Sequence, residues 1–225
     1  MTWRHEWKHW INTADWISMR HRLNCLMQHD AHSDANGEYH VRSIYFDNYE
    51  AKVLQEKLDG LLHREKYRIR LYNLDAATLR LERKTRRNGM GRKDSVKLTV
   101  EQCRMLLAGD TSFVEATGNP LLLALKCDMD AKLLRATTVV DYTREAFVMG
   151  AGNVRVTFDR EIRSGLAATD VLDASLPTVP THRSDLMVLE VKYDAFLPGL
   201  VEAAVQTGDR RASAVSKYAM SRQCG

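Results

Sequence analysis

Charged side chains recur at every second position along two neighbouring segments, and this alternation is the feature that most constrains the fold. Successive side chains of a β-strand point to opposite faces of a sheet. Each segment therefore predicts a strand with one charged face and one mainly apolar face. The charged faces carry Lys66, Arg68 and Arg70 in the segment from Arg64 to Tyr72, and Arg80, Glu82 and Lys84 in the segment from Leu79 to Thr85.

The same alternation returns in three later segments. They place Lys93, Ser95 and Lys97, then Arg155, Thr157 and Asp159, then Glu190 and Lys192 on shared faces. An antiparallel sheet with one solvated face explains such a pattern, but a solvated face usually mixes both signs. These faces are mainly cationic and rich in arginine, which suits two-pronged binding of phosphate. If the sheet closes on itself, the faces line one interior suited to a polyanion, and we favour this basic cavity over an exposed charged face.

Composition sets broad limits on the function. The chain has 225 residues, an apolar share of 44% and a formal net charge of +4, so bulk charge does not demand a nucleic-acid partner. The four cysteines show no C-x-x-C spacing, which favours a reduced, cytoplasmic setting over a disulfide framework or a zinc site. We expect no signal peptide and no direct membrane insertion, because no apolar run approaches the ~20 residues that span a bilayer.

The order of elements favours an α+β fold, a closed antiparallel barrel with peripheral helices. Capping residues and apolar spacing predict the helices, and alternation and Asn-Gly turns predict the strands. We predict helices at 13–28, 48–60, 99–107, 119–134 and after Pro198, and strands at 3–11, 39–47, 64–72, 79–85, 92–98, 137–148, 153–160 and 186–194. The absence of a repeat or a linker predicts one domain over residues 1–225.

The motifs point to phosphoryl transfer without a glycine-rich nucleotide cradle. The chain has no P-loop, no G-x-G-x-x-G and no G-x-S-x-G. It does have clustered Arg and Lys with a few carboxylates, the set that neutralises phosphate oxygens and holds Mg²⁺ or Mn²⁺. Glu190 and Lys192 lie in an otherwise apolar strand, where charges are costly unless they face a polar cavity. Asp185 with Glu190-x-Lys192 also fits the short pattern of a metal nuclease, which we rank last because it leaves the cation strands unexplained.

Eight short segments form an ordered set over nearly the whole chain. They are Arg4–Lys8, Ser43–Asp47, Lys66–Tyr72, Leu81–Thr85, Tyr142–Phe147, Val154–Asp159, Leu189–Lys192 and Ser216–Tyr218. Together they resemble the VTC domain, the polyphosphate polymerase domain of the vacuolar transporter chaperone complex and its bacterial relatives. That family belongs to the CYTH-like triphosphate tunnel metalloenzymes.

The resemblance implies a tunnel of eight antiparallel strands and assigns residue roles by motif position. Catalytic contacts to the triphosphate would come from Arg68, Arg70, Lys84, Arg144, Arg155 and Lys192. Further substrate contacts would come from Lys8, Lys66, Lys93, Lys97 and Lys217. Glu190 would bind the divalent metal, Mn²⁺ or Mg²⁺. The implied reaction transfers the γ-phosphoryl group of ATP to a growing polyphosphate chain, and coupling to translocation would need a separate membrane-protein partner.

Two positions depart from the family pattern. Ala214 stands where some polymerases of the family carry a further lysine, which bears on how the chain is handled. Arg4 stands where the related triphosphatases carry the first glutamate of Glu-x-Glu-x-Lys, which argues mildly against a plain triphosphatase. Hydrolysis of inorganic or nucleoside triphosphates, and binding of polyphosphate without catalysis, therefore stay as alternatives to polymerisation.

Overall fold

A single antiparallel sheet dominates the computed structural model, which describes residues 3–206 and 215–224. Its strands are β1 (His5–Asn12), β2 (Gln28–His29), β3 (Glu38–Asp47), β4 (His63–Tyr72), β5 (Asp75–Arg87), β6 (Met90–Lys97), β7 (Arg135–Met149), β8 (Val154–Ser164), β9 (Val179–Pro180) and β10 (Leu186–Tyr193). Eight of them follow the order β1-β10-β8-β7-β3-β4-β5-β6, while β2 pairs with β7 and β9 with β8. The predicted α+β antiparallel architecture is confirmed.

The two edge strands of this path, β1 and β6, meet at one point. Arg4 and Gly91 exchange two backbone hydrogen bonds of 3.0 Å, an isolated bridge outside the named strands. The sheet is thus curled into a barrel whose seam has no continuous hydrogen-bonded ladder. Across the same seam the Lys84 ammonium on β5 lies 2.8 Å from both carboxylate oxygens of Glu6 on β1. Among the described residues, side chains therefore reinforce a closure that the backbone makes at a single bridge.

Seven α-helices within the described residues lie around the sheet. They are α1 (Thr13–Asn24), α2 (Lys52–Leu58), α3 (Val100–Ala108), α4 (Val114–Thr117), α5 (Pro120–Ala131), α6 (Gly199–Ala204) and α7 (Lys217–Arg222). The capping box predicted at Thr99 and Gln102 is present, and a second box begins α1 at Asn12. The first helix ends at Asn24, short of the predicted Gln28, because Gln28 and His29 pair with β7. None of the described helices is long and apolar enough to cross a membrane.

Apolar side chains fill the space between the outer face of the sheet and the helices. One cluster joins β3, β4 and β5 to α3 and α5, and another joins β1, β8 and β10 to α1 and α6. A third cluster differs, because it lies on the inner face of β3 and β7 and includes Val140 and Tyr218. There α7 closes part of the barrel interior, and Ser221 hydrogen-bonds the hydroxyls of Thr138 and Ser164 at 3.1 and 2.6 Å. The rest of the interior is lined by charged residues.

Candidate functional site

A five-residue ion-pair cluster lies where β1 and β10 run side by side. The register sets Lys8 opposite Glu190 and Glu6 opposite Lys192. The Lys8 ammonium is 2.9 Å from one oxygen of Glu190 and 3.3 Å from Glu6, and Lys192 pairs with the other oxygen of Glu190. Lys84 joins from β5 through Glu6. Three lysines thus share two carboxylates, which leaves the cluster with a surplus of positive charge.

The pKa shifts in this cluster follow that imbalance. Burial opposes charge on every member. For Glu190 the neighbouring lysines outweigh burial and hold the pKa of the carboxyl well below its usual range. For Lys84 and Lys192 burial outweighs the carboxylates, and the pKa of each ammonium lies below its usual value. Another anion in the cluster would stabilise these two ammonium groups.

A second cluster surrounds Glu82, which is 1% exposed. Two nitrogens of Arg68 donate to one Glu82 oxygen at 2.8 and 2.6 Å, and Lys93 donates to the other at 2.9 Å. Arg70 lies 3.9 Å from the same carboxylate and is fixed by hydrogen bonds to the hydroxyls of Ser43 and Tyr142. The side chains of Arg68, Arg70 and Lys93 are therefore held in place before any ligand binds.

Tyr45 on β3 faces the same interior and lies among cations. Arg68 donates to the Tyr45 hydroxyl at 3.3 Å, and the Lys66 ammonium lies 5.3 Å from the ring centroid. Burial alone raises the pKa of this phenol, but Arg68, Lys66 and Arg70 outweigh it and bring the pKa to about 7. Burial lowers the pKa of Lys66 to about 8.

The third cluster is centred on Asp159, a fully buried carboxylate on β8. Arg144 from β7 donates to its two oxygens at 2.6 and 2.8 Å, and Lys217 from α7 pairs with it. Both cations also lie over the ring of Tyr142, at 5.2 and 4.8 Å from the centroid. Since Arg70 hydrogen-bonds that same tyrosine, Tyr142 links the third cluster to the second.

The remaining predicted site residues lie at the margin or beyond it. Arg155 is partly exposed and pairs with Asp30 and the Tyr39 hydroxyl, outside the three clusters. Lys97 is exposed and forms no ion pair with a carboxylate of the described residues. Arg4 binds Asp194 at 2.7 Å beside the seam. Ala214 lies outside the described residues.

Sequence reasoning missed the buried acids and the tyrosines of the interior. Glu6, Glu82 and Asp159 each sit on a charged face together with predicted cations, so the alternation that identified the cations also contained the carboxylates. We interpreted those faces as cationic, whereas the structure shows a network of opposite charges. Tyr45 and Tyr142 carried no signal, because an aromatic residue in an alternating strand reads as core.

The donor set fits a hard divalent cation that also binds phosphate. Glu190 and Glu6 offer carboxylate oxygens, and the buried Thr157 hydroxyl, directly opposite Glu190 in the β8–β10 register, has no hydrogen-bond partner. Within the described residues no three His, Cys, Asp or Glu side chains converge on one point. Mg²⁺ and Mn²⁺ sites of one or two carboxylates are completed by phosphate oxygens and water. These residues therefore suit a metal that arrives with its phosphate ligand.

Comparison with known proteins places the fold. A protein from Hippeastrum, described as a candidate adenylyl cyclase with a dominant triphosphatase activity, superposes with a TM-score of 0.55 at 13% identity, covering 100% of this chain and 96% of its own. A candidate adenylate cyclase from Bacillus halodurans gives a TM-score of 0.48 at 11% identity over 89% and 86% of the two chains. No curated protein matches by sequence.

A curled antiparallel sheet with a charged interior, together with the Hippeastrum likeness, defines the triphosphate tunnel fold. The VTC domain model matches residues 3–224, almost the whole chain. The chain belongs to the VTC domain family. The parallel-sheet core expected of a nuclease is absent from the described residues, since every strand pairing is antiparallel.

Proposed function

We propose that this protein is a metal-dependent polyphosphate polymerase that transfers the γ-phosphoryl group of ATP to a polyphosphate chain. The observation that carries the proposal is the convergence of cations from β1, β4, β5, β6, β7, β10 and α7 on one interior. Buried carboxylates fix those cations in advance but do not fully neutralise the β1–β10 cluster. Phosphoryl transfer depends mainly on such positioning and charge stabilisation and needs no covalent nucleophile.

The residues divide the work by position. Arg68 and Arg70 present guanidinium groups that suit the oxygens of a phosphate chain, and Lys8, Lys84 and Lys192 surround the carboxylates of β1 and β10. Glu190, with Glu6 beside it, would hold Mn²⁺ or Mg²⁺. A divalent ion bound there would neutralise charge on the phosphate oxygens as negative charge develops on the leaving group. Arg144 and Lys217 would bind phosphate oxygens at the end of the interior that α7 closes.

Hydrolysis of a triphosphate is the second candidate. It is supported by the Glu6-x-Lys8 pair in the first strand, which matches the end of the triphosphatase pattern, and by the described activity of the Hippeastrum protein. Incubation with ATP or tripolyphosphate and Mn²⁺ separates the candidates. Accumulation of long chains supports the polymerase, and release of phosphate without chains supports the hydrolase. Tight binding of polyphosphate with no turnover in either metal supports a binding module.

The site assignment is tested by replacing Glu190. We expect Glu190→Ala to abolish ATP-dependent polyphosphate synthesis, because the variant loses the metal carboxylate and leaves Lys8 and Lys192 without their shared partner. Arg183→Ala is the control, since Arg183 is 81% exposed in its side chain and lies outside the barrel interior. Full activity in Glu190→Ala, with metal still required, contradicts the assignment. We further propose a cytoplasmic location and a membrane-protein partner, by resemblance to the family.

A further inference from the structure

Three cations crowd one end of the barrel, outside the clusters described above. Lys57 comes from the last turn of α2, Arg64 from the start of β4 and Arg86 from the end of β5. All three line one cavity and are partly buried. We call this group the basic mouth.

Unlike the cations of the three clusters, the residues of the basic mouth have no paired carboxylate among the described residues. None of the three forms an ion pair with a carboxylate in the part of the chain that the structure describes. Of the surrounding acids, Glu56 acts on Arg64 without pairing with it, and the Glu65 carboxylate accepts from the Thr85 hydroxyl at 3.1 Å. Glu6 also lines the cavity, but it pairs with Lys8 and Lys84. Burial lowers the pKa of Lys57 below its ordinary value, and Arg64, Lys8 and Arg86 lower it further. Mutual repulsion of this kind is relieved by binding an anion.

The basic mouth is continuous with the interior. The cavity that Lys57, Arg64 and Arg86 line is also lined by Lys8, Lys66 and Lys84. On β4 the inner face carries a cation at every second residue from Arg64 to Arg70, which spans about 20 Å at ~3.3 Å per residue. This row is longer than a triphosphate. A triphosphate therefore cannot contact the whole row at once, whereas a longer polyphosphate chain can.

We propose that Lys57, Arg64 and Arg86 bind further phosphate units of a linear polyphosphate chain, so that the protein distinguishes long polyphosphate from a triphosphate. This inference rests on the proposed function for the anion inside the barrel. A nucleic-acid strand carries the same charge, but its bulky bases do not match a row of cations that continues into the charged interior of the barrel. The ligand of the basic mouth is thus a thin, flexible and highly charged chain.

The test compares two ligands on one set of variants. Lys57→Gln, Arg64→Gln and Arg86→Gln are made singly and together, and calorimetry measures the affinity for tripolyphosphate and for long-chain polyphosphate at two salt concentrations. We expect the triple variant to bind long polyphosphate at least about ten-fold more weakly, with a shallower salt dependence, and tripolyphosphate as the wild type does. Arg183→Gln is the control for loss of a surface cation. Thermal melting checks folding, and Lys57→Gln on α2 serves if the strand variants are unstable.

The outcomes separate this inference from the proposed function. If the wild type binds neither ligand, the proposed function fails. If the wild type binds both ligands and the variants leave the ratio of the two affinities unchanged, the proposed role of the basic mouth is wrong, while the proposed function stands. If the variants lose binding to a single-stranded oligonucleotide while keeping that to long polyphosphate, the basic mouth is a nucleic-acid site and the inference is wrong.

Discussion

At the scale of single residues, we expect the pair Tyr45 and Lys66 to make anion binding sensitive to pH. Tyr45 has a pKa of about 7 and becomes negative above it, whereas Lys66 has a pKa of about 8 and becomes neutral above it. Both changes remove positive charge from the interior as pH rises. The affinity for tripolyphosphate should therefore fall as pH rises through the range from about 7 to about 8.

Comparison of variants isolates the contribution of the phenol. We expect Tyr45→Phe to show a smaller total fall, caused by Lys66 alone and lying at lower pH, because the Tyr45 phenolate raises the pKa of Lys66. Calorimetry across pH measures the affinity. The ionisation of the ligand is common to both proteins and cancels in their difference. Tyr67→Phe is the matched control, because burial raises the pKa of Tyr67 far above neutrality and its ring lies in the outer core. Identical pH profiles for the wild type and Tyr45→Phe rule out this role for Tyr45.

Arg68 provides a second prediction at this scale. On the proposed function, Arg68→Ala removes a charge-assisted contact to phosphate, which costs about 1.5–3 kcal/mol. If that contact is made in the transition state, the rate falls by about one to two orders of magnitude. Arg68→Lys keeps the charge but loses the two-nitrogen contact that Arg68 makes with Glu82. Its activity should therefore lie between that of the wild type and that of Arg68→Ala. Steady-state rates under saturating ATP measure the effect, and an Arg68→Ala enzyme as fast as the wild type contradicts it.

At the scale of elements, Asp159 joins three of them: β8, which carries it, and β7 and α7, which supply Arg144 and Lys217. Asp159→Asn leaves both buried cations without their carboxylate, so we expect a loss of about 3–5 kcal/mol in the free energy of unfolding. Urea denaturation at neutral pH measures this loss. A variant that unfolds at the same urea concentration as the wild type would show that α7 is not held by this ion pair.

The pH dependence of that stabilisation has a definite sign. Burial raises the pKa of Asp159, but Arg144 and Lys217 outweigh it and bring the pKa from 3.8 to about 2. The stabilisation is thus fully present above about 3.8 and is lost as pH falls through about 2. The difference in stability between the wild type and Asp159→Asn should shrink over this acid range and stay constant near neutrality.

Most elements could be predicted from sequence because their signals are local. Alternation fixed the strands, and the Thr99 and Gln102 capping box fixed the start of α3. The position of α7 could not be predicted, because it depends on contacts between residues far apart in the chain, such as Ser221 with Thr138 and Ser164. The charged clusters were only half predicted, since alternation says which residues share a face but not which side chains pair.

At the scale of the whole molecule, the seam between β1 and β6 has one backbone bridge, Arg4 with Gly91, among the described residues. Gly91→Pro removes the backbone N–H that donates to Arg4, and should cost about 0.5–1.5 kcal/mol or more. Gly91→Ala is the matched control, because an added Cβ meets no atom closer than 3.9 Å. Hydrogen exchange should be faster at the amides of β1 and β6 in Gly91→Pro alone. Equal exchange in both variants would mean that side chains such as Glu6 and Lys84 suffice to close the barrel.

The pairing of β1 with β10 also bears on how the protein is made. β1 is the first strand in chain order, and its whole length pairs with β10, the last. Until the ribosome has released β10, the charged face of β1 has neither Glu190 nor Lys192 to pair with. Glu6 and Glu190, the carboxylates that we propose hold the metal, therefore come together only after β10 has been synthesised, and a nascent chain that lacks β10 cannot assemble the site.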